Sequence, residues 1–332
     1  MKKFLKENII QIIVLILFAF VINYELPYYI EAPGGIINVT KRMDSNYNKK
    51  NGSLNMLYVT QYKGNVITVL LSKFIGSWDL NKIEKQQISN EDANDIYIRN
   101  RIMLDNSIQN ALFAAYTAAG KEIEITGSNS YVLAVTKDNG FLIGDKVLKV
   151  DNKDVEDITT LKDALSKKKV GEEIDVLVNI NNKKINMKVA VPEDKVLGIM
   201  ILTNYEYNVP DDVSSTFKSS EGGSSGGMIL SLAIYSKISG VDILKGRNIA
   251  GTGTIDMYGN VGEIDGIKYK IAGAVKNKID LVLVSPENYD EAIDVVKKNK
   301  YKIDIVKVST LNDAIEYLTK ESWFINFLSF FY

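Results

Sequence analysis

The segment EGGSSGGMILSL, residues 221–232, is the stretch of the chain that most directly decides fold and chemistry. Its small residues let the backbone turn tightly and expose a side chain. Residues 228–238 are apolar nearly all round a helix, which predicts a buried helix directly after the turn. A serine just before that helix lies at the positive end of the helix dipole, among free N–H groups. Such groups can stabilise a tetrahedral oxyanion.

Two other interpretations of this segment start from the same geometry. A loop rich in glycine and serine before a helix also suits a phosphate site, or serves only as a connection. The phosphate-loop pattern G-x-x-x-x-G-K-[ST] occurs nowhere in the chain, because Gly120 and Lys121 are followed by Glu122. An ordinary loop therefore remains the alternative to an active serine.

Composition narrows the chemistry further. The 332 residues include no Cys and no His, which excludes disulfides, thiolate metal sites, Ser-His-Asp arrangements and His-ligated metals. With 40 basic and 41 acidic residues the net charge is −1, so the sequence has no excess of positive charge that would indicate binding to nucleic acid. We therefore expect no metal, no cofactor and no nucleic-acid partner.

Without His, the best base for a serine nucleophile is a lysine. A free lysine has a pKa of about 10.4, so only about one in 2,500 is neutral at pH 7, and burial must lower that pKa by roughly three units. In a helix, Lys270 has the apolar or small residues Ile267, Gly273 and Ala274 on its own face. Lys268 is the rival candidate. Solvation of both lysines is the ordinary alternative.

The N-terminus predicts a membrane segment. Residues 9–22 form an apolar run of 14 residues, short of the ~20 that span a bilayer. Lys6 can snorkel at one end, and three tyrosines can lie at the other interface (Tyr24, Tyr28 and Tyr29). We predict an uncleaved anchor over residues 9–26, a cytoplasmic tail over residues 1–8, and a chain that is otherwise extracellular. A cleaved signal peptide on a released, secreted protein is the alternative.

Hydrophobic periodicity divides the remainder into four parts. Residues 27–124 combine strands, predicted at 54–60 and 65–71, with an amphipathic helix. Residues 125–192 form a small β-rich unit, and residues 193–320 alternate helix and strand, which indicates an α/β layer. The aromatic tail, residues 321–332, is too short to span a membrane, and its role stays open.

The β-rich unit contains a recognisable sequence motif. Residues 142–150 read LIGDKVLKV and resemble the bacterial PDZ pattern in which L-x-x-G-D precedes a strand. PDZ domains bind an extended peptide at a sheet edge. The resemblance implies a peptide-carboxylate loop at Asn129, Ser130, Tyr131 and Val132. A β-rich spacer that binds no ligand is the open alternative.

Residues 219–318 resemble the proteolytic domain of Lon-type serine endopeptidases, which use a Ser-Lys dyad. The family serine lies in G-P-S-A-G, which matches residues 223–227 and makes Ser225 the implied nucleophile and Gly226 an oxyanion support. The family lysine follows G-G-[LI]-x-x-K, which puts Lys270 there, 45 residues after Ser225. A family threonine that hydrogen-bonds the lysine lies in T-G-x-I and matches Thr252.

The resemblance has departures from the family pattern. Ser224 replaces the proline and Gly226 the alanine, and Ser224 is the alternative nucleophile. Many relatives have an acid three residues before the serine; here Gly222 stands there, with Glu221 next to it. Residues 99–120 also resemble an early helix of the Lon-type domain, so that this domain would begin before the PDZ unit.

The predicted fold class is therefore an α/β (α+β) Lon-type proteolytic domain with a small β-rich PDZ domain, preceded by one transmembrane helix. The whole chain is similar to the secreted-side branch of the family, whose members have one anchor, a PDZ domain and a Lon-type domain. This implies an ATP-independent endopeptidase at the cell membrane, acting on flexible peptides or unfolded proteins, and a homo-oligomer because Lon-type domains tend to form rings. The alternative function is a non-catalytic, membrane-anchored PDZ scaffold that binds peptides.

Overall fold

The computed structural model describes residues 8–43, 51–82, 91–180, 182–210, 213 and 216–329, with side chains left out for residues 321–329. Of the predicted cytoplasmic tail, only Asn8 lies within the described residues. The side chains of the predicted aromatic tail, residues 321–332, lie outside them. The described chain forms two six-stranded sheets, a two-stranded sheet, and helices.

The helices and strands follow the chain in this order. The helices are α1 (Ile9–Asn23), α2 (Val39–Met43), α3 (Val66–Ser72), α4 (Ala93–Ala118), α5 (Ile158–Ser166), α6 (Gly227–Ser239), α7 (Ile267–Lys276), α8 (Pro286–Asn299) and α9 (Leu311–Ser329). The strands are β1 (Glu25–Asn38), β2 (Ser53–Asn65), β3 (Asp79–Lys82), β4 (Glu124–Val135), β5 (Lys146–Val150), β6 (Lys153–Asp154), β7 (Glu173–Ile180), β8 (Lys183–Ala190), β9 (Ile199–Asn208), β10 (Asn248–Thr252), β11 (Thr254–Ile255), β12 (Val261–Gly262), β13 (Leu281–Val284) and β14 (Asp304–Lys307).

The main sheet joins two distant parts of the sequence. Its strand order is β14-β13-β10-β2-β1-β3. Strand β10 is parallel to both β2 and β13, with Ala250 opposite Asn55 on one side and Val282 on the other. Strands β1 and β3 add in antiparallel fashion at one end. Residues 25–82 and 248–307 therefore share one sheet, although a second sheet lies between them in sequence.

That second sheet has the order β8-β7-β5-β4-β9, with β6 paired to β5. Its apolar side chains alternate along each strand, as the sequence predicts: Ile174, Val176 and Val178 of β7 are all fully buried. They belong to a core cluster separate from the two that pack on the main sheet. The middle of the chain therefore buries its own apolar core.

Helices cover both faces of the main sheet. On one face, residues 227–234 of α6 are all buried, which confirms the buried helix predicted after the Gly/Ser turn. A helix that is apolar all round needs neighbours on every side, and α6 has them in α2, α4, α9 and the sheet. On the other face, Ile267 and Ile271 of α7 pack with Leu57 and Ala250. Helix α6 packs on β10 and β2, and α7 packs on β1 and β2.

The strand predicted over residues 65–71 is wrong, because this segment is helix α3. Asn65 caps the helix: its side chain accepts a hydrogen bond from the Thr68 amide at 2.9 Å, and the Thr68 hydroxyl accepts one from the Asn65 amide at 2.9 Å. This reciprocal capping box stabilises a helical start. The β-branched residues of the segment had favoured a strand.

The apolar N-terminal run folds as helix α1, which has 15 residues. At 1.5 Å per residue it is about 22 Å long, against about 30 Å for the hydrocarbon core of a bilayer. In the part of the chain that the structure describes, no helix has the length and apolarity required to cross a membrane. The structure therefore does not support the transmembrane helix predicted over residues 9–26.

Candidate active site

Ser225 lies in the turn directly before α6, as the sequence predicts. Gly223 adopts φ +89°, a conformation that side chains rarely allow, and Gly226 is the N-cap residue of α6. The turn closes through a hydrogen bond from the Gly227 amide to the Ser224 carbonyl at 3.2 Å. Both serines are half-buried. The glycines thus permit a sharp entry into α6 that presents serine at its N-terminus.

The carboxyl end of β10 holds this turn. The Gly253 amide donates to the Ser225 carbonyl oxygen at 2.9 Å, and the Thr252 hydroxyl donates to the same oxygen at 3.3 Å. Thr252 is fully buried. The sequence resemblance implied a hydrogen bond from Thr252 to Lys270 instead, and no such bond is formed. The observed contact of Thr252 is with the serine turn.

Two backbone amides at the turn are free. The N–H groups of Ser225 and Gly226 donate to none of the residues that the structure describes. They stand at the N-terminus of α6, where the helix dipole adds partial positive charge. Free amides at a helix N-terminus bind anions, including the oxyanion of a tetrahedral intermediate. The predicted oxyanion role of Gly226 is therefore compatible with the local geometry.

The glycine at position 226, where the family pattern has alanine, has a packing reason. A Cβ built on Gly226 would come within 1.6 Å of the Met56 methyl group. Gly227 is equally restricted, since its Cβ would lie 2.8 Å from both Ile255 and the Ser107 hydroxyl oxygen. Met56 thus occupies the space that a larger residue at position 226 would need.

Lys270 projects from the face of α7 that packs on the main sheet. The residue is only 4% exposed, and no described residue forms a hydrogen bond with its ammonium group. Burial lowers the pKa of Lys270 to about 8, against an opposing effect of the carboxylate of Asp265. About one Lys270 in eleven is then neutral at pH 7, compared with about one in 2,500 for a free lysine.

Lys268, the rival, has a different environment. Its side chain is exposed, its ammonium bonds to the Asp79 carboxylate, and it lies 4.8 Å from the centre of the Tyr269 ring. Tyr269 also donates to Asp79 at 2.6 Å. Lys268 is therefore exposed and paired with a carboxylate, whereas Lys270 is buried. The structure separates the two candidates that the sequence left open.

Helix α4 supports the serine turn through residues that sequence reasoning did not assign. The buried Ser107 hydroxyl donates to the Ser224 carbonyl at 3.1 Å, and Asn110 donates to the Ile255 carbonyl at 3.2 Å. The Asn100 carbonyl accepts a hydrogen bond from the Gly223 amide at 2.9 Å. The resemblance of residues 99–120 to an early Lon-type helix was the available signal, but it named no contact.

Arg42 of α2 fixes the segment that leads to the turn. Its guanidinium binds both carboxylate oxygens of Glu221, at 2.5 and 2.6 Å, and donates to the Thr216 carbonyl at 3.1 Å. It also lies 5.2 Å from the Phe217 ring centre. Arg42 holds the pKa of Glu221 below its usual range. Arg101 donates to the Glu221 carbonyl at 3.2 Å, so two of the four arginines hold this segment.

A cleft of about 760 Å³ opens beside Ser225. Its walls come from the end of β1, from α2, from residues 56–59 of β2, from Leu104 and from most of the segment between Thr216 and Gly226. Ser225 lines this cleft, whereas Ser224 is not among its lining residues. Of the two serines, Ser225 is therefore the one that faces the cleft.

The predicted peptide-carboxylate loop of the PDZ unit is not a loop. Residues 129–132 lie inside strand β4, where Ser130 pairs with Thr203 of β9 on one side and Val147 of β5 on the other. The Val132 amide donates to the Asp145 carbonyl at 2.8 Å. Because neighbouring strands already use this backbone, a peptide has no edge to add to at residues 129–132. The structure corrects this placement.

Strand β9, next to β4, is one of the two edge strands of the second sheet, and β8 is the other. Helix α5 packs beside the strand, and the preceding turn, residues 195–198, has positive φ at Lys195 and Gly198. Within the described chain, the amides of Leu197 and Gly198 have no acceptor. Further along, α4 covers the edge, since Gln109 hydrogen-bonds the backbone of Tyr205. About the first half of β9 remains open.

Comparison with known proteins matches two segments of the chain to families. Residues 214–321 match the Lon protease C-terminal proteolytic domain, and residues 122–191 match the PDZ domain. The chain therefore contains a Lon-type proteolytic domain and a PDZ domain. The predicted mixed α/β class with these two domains is confirmed.

Individual relatives align with part of the chain. The Lon protease of Campylobacter jejuni is 30% identical over 145 residues, 43% of this chain and 17% of the relative. The Lon protease of Neorickettsia sennetsu is 31% identical over 102 residues, 31% of this chain and 12% of the relative. A serine protease Do-like HtrA of Lactobacillus helveticus is 31% identical over 91 residues, 27% of this chain and 19% of the relative. The chain spans less than a fifth of each of these relatives.

A solved PDZ domain of an SdrC-like protein from Listeria monocytogenes is also similar to part of the chain. It is 18% identical, covers 24% of this chain and 93% of its own, and superimposes with a TM-score of 0.22.

Proposed function

We propose that this protein is a serine endopeptidase in which Ser225 is the nucleophile and Lys270 the general base. The observation that carries the proposal is the burial of Lys270 on α7, which lowers the pKa of its ammonium group to about 8. The end of β10 holds the Ser225 turn. Burying a lysine that has no acceptor among the described residues costs stability, so a buried lysine with a lowered pKa indicates a functional role.

The proposed reaction proceeds in two steps. Neutral Lys270 takes the proton from Ser225 as its Oγ attacks the scissile carbonyl carbon, and the oxyanion binds at the Ser225 and Gly226 amides. When the C–N bond breaks, the Lys270 ammonium returns the proton to the leaving amine. Water then attacks the acyl-enzyme with Lys270 again as base, releasing the carboxyl product and free Ser225 Oγ–H.

We propose that the substrate binds as an extended strand in the cleft. Strand β10 pairs with β2 only from Ser53 to Met56, so the edge of β2 beyond Met56 has no partner on that side among the described residues. Residues 56–59 of β2 and Ser225 line the same cleft. A substrate that adds a strand here must be flexible or unfolded. Because the chain has no phosphate-loop pattern, we propose that cleavage needs no ATP.

For the PDZ domain we propose a peptide site at the open half of β9, beside α5. The free amides of Leu197 and Gly198 suit a carboxylate, as in other backbone anion sites. Because α4 covers the edge of β9 at Tyr205, the site has room for only a few terminal residues of a peptide. Fluorescence anisotropy of labelled peptides tests this: peptides with a free carboxyl terminus should bind, and amidated copies should bind at least tenfold more weakly.

The extracellular location, the membrane attachment through the N-terminal helix and the homo-oligomer stay predictions. The apolar surface of α1, none of whose residues is buried, supports attachment. Fractionation of cells and added protease outside intact cells test the first two. Analytical ultracentrifugation of the purified full chain tests the third.

The central experiment compares full-length wild type, Ser225→Ala, Ser224→Ala, Lys270→Ala and Lys268→Ala on an unfolded protein without nucleotide, with products identified by mass spectrometry. We expect cleavage by wild type, Ser224→Ala and Lys268→Ala only. Equal cleavage by Ser225→Ala would show the nucleophile to be wrong. The Lys270→Arg variant tests the alternative of a non-catalytic scaffold. A Ser-Lys protease should lose cleavage in this variant, whereas a scaffold has no cleavage activity to lose.

A further inference from the structure

Helix α3 and the turn after it expose large apolar side chains. Leu70 is 54% exposed, Leu71 is 43% exposed and Phe74 is 84% exposed; these three residues are named here the α3 patch. Between Val66 and Trp78 the only charged residue is Lys73, which is also exposed. Single apolar residues on a surface are ordinary, but a cluster in a nearly uncharged segment indicates an interaction surface.

The α3 patch continues the apolar surface of α1. The Asn65 side chain, which caps α3, donates to the Ile22 carbonyl in the last turn of α1 at 2.7 Å. The two helices also pack against each other. The large apolar side chains of α1 are exposed along nearly its whole length, from Ile9 to Phe20. The two helices therefore present one apolar surface.

The pattern of exposure on α1 identifies what covers this surface. Residues 13–18 of α1 are consecutive, all apolar and all exposed. Consecutive helical residues point in successive directions around the axis, so no single stripe is apolar. A second copy of the chain would cover one stripe, whereas hydrocarbon surrounds a helix on every side. This distribution favours lipid over a protein partner.

Polar and aromatic residues mark the level of the membrane surface. Tyr24, 51% exposed, stands at the end of α1 with its ring 5.4 Å from that of Phe20. Trp78 follows the α3 patch and stacks edge-on against Tyr62. Tyr and Trp concentrate where hydrocarbon meets headgroups, and a lysine such as Lys73 suits anionic headgroups.

We propose that the α3 patch inserts into the interfacial layer of a lipid membrane beside the end of α1. This is a second lipid contact, separate from α1 and independent of the proposed protease activity. Strand β1 runs from Glu25, at the proposed level of the membrane surface, to Ile36, which lines the cleft beside Ser225. At about 3.3 Å per residue, the cleft stands at most about 36 Å from the lipid surface.

The test uses the full chain in vesicles of phosphatidylcholine and phosphatidylglycerol whose acyl chains are brominated near the headgroup. The chain has two tryptophans, Trp78 and Trp323, which are replaced by phenylalanine. Phe74→Trp then places one fluorophore in the α3 patch. The matched control is Tyr258→Trp, because Tyr258 is 78% exposed but lies between β11 and β12.

We expect Phe74→Trp to lose roughly half of its emission in brominated vesicles, because an interfacial side chain lies about 5–10 Å deep. Tyr258→Trp should lose almost none. The proposal would be overturned if the Phe74→Trp chain floated with the vesicles but its fluorescence was not quenched. It would also be overturned if the chain did not float with the vesicles. A blue shift that depends on protein concentration without lipid would show that a second copy covers the patch. Leu71→Trp repeats the test, and urea midpoints equal to wild type show that each variant folds.

Discussion

Lys268 and Lys270 lie two residues apart on α7, yet the fold gives them opposite environments. Lys268 is exposed and bonded to Asp79, whereas Lys270 is buried and has no hydrogen-bond acceptor among the described residues. Residues two apart point to nearly opposite sides of a helix, so only one of them can face the sheet. The identity of the base therefore depends on which face of α7 packs on the main sheet.

The sharpest way to break this comparison is to remove each lysine in turn. Lys270→Ala should lower kcat/KM by at least about 1,000-fold, since both nucleophile activation and leaving-group protonation depend on it. Lys268→Ala should change kcat/KM by less than about threefold, because an exposed ion pair contributes little. Peptide cleavage followed by mass spectrometry measures both. A large loss in Lys268→Ala together with an active Lys270→Ala would reverse the assignment.

The pH profile tests whether the buried lysine is the titrating base. Because only neutral Lys270 accepts a proton, kcat/KM should rise with pH and level off above about 8. With that pKa, the increase between pH 6 and pH 8 is about fifty-fold. The Lys268→Gln variant should show the same profile as wild type. A flat profile would mean that Lys270 is not the group whose ionisation limits the reaction.

Stability provides a measurement independent of activity. The pKa of Lys270 in the folded state, about 8, lies below its ordinary value of 10.5. Below pH 8 the folded protein must hold a buried charge, and between pH 8 and 10.5 the unfolded chain binds one proton more, so stability rises with pH. Lys270→Met should therefore stabilise the fold at pH 7 by about 3 kcal/mol, and by less than about 1 kcal/mol at pH 10.

Urea unfolding at the two pH values measures this difference. Lys268→Met is the control and should be neutral or slightly destabilising at both. If Lys270→Met destabilised the protein at pH 7, the ammonium would have to be stabilised by a partner in the folded state.

The carboxylate of Asp265 gives a smaller effect. It opposes the lowering of the Lys270 pKa, so Asp265→Asn should shift the midpoint of the pH profile downward. Asp265 is exposed and its charge is screened, so the shift should be less than about one unit. Glu263→Gln, a change at another exposed carboxylate two residues earlier, should leave the midpoint in place. An upward shift in Asp265→Asn would contradict the proposed electrostatics.

The smallest expected effect concerns the link between β3 and α7. Asp79 binds both Lys268 and Tyr269, but the Lys268–Asp79 pair is largely exposed. Asp79→Asn should lower the free energy of unfolding by less than about 1 kcal/mol. Chemical denaturation at pH 7 measures it, and high salt should reduce the difference further.

Much of the fold followed from local patterns. The buried helix α6 after the Gly/Ser turn, the alternating strands β7 and β8, and the α/β succession after residue 248 are all visible in hydrophobic periodicity. Helix α3 was missed, because the Asn65 and Thr68 capping box competes with the strand propensity of its β-branched residues. The transmembrane helix was predicted from the apolar run together with Lys6 and three flanking tyrosines, and the described helix is too short and not apolar enough for a span.

The candidate site was predictable in part. Composition and the Gly/Ser turn made a serine with a lysine base in apolar surroundings a candidate, and the family pattern directed attention to Ser225 and Lys270. Spacing could not show that the Thr252 hydroxyl bonds to the Ser225 carbonyl, or that residues 129–132 are enclosed between two strands. Such contacts join residues distant in the chain, and the contact of Ser107 with Ser224 is another example.

The sequence by itself determined which side-chain chemistries are available to this protein. Without His or Cys, a serine nucleophile has lysine as its best candidate base, and the turn before an apolar helix is the place where the sequence predicts that serine. Only the tertiary structure decided which lysine is buried. The reason is physical: periodicity describes one element at a time, whereas the pKa of a lysine depends on the sheet packed against it, and that sheet combines strands from both ends of the chain.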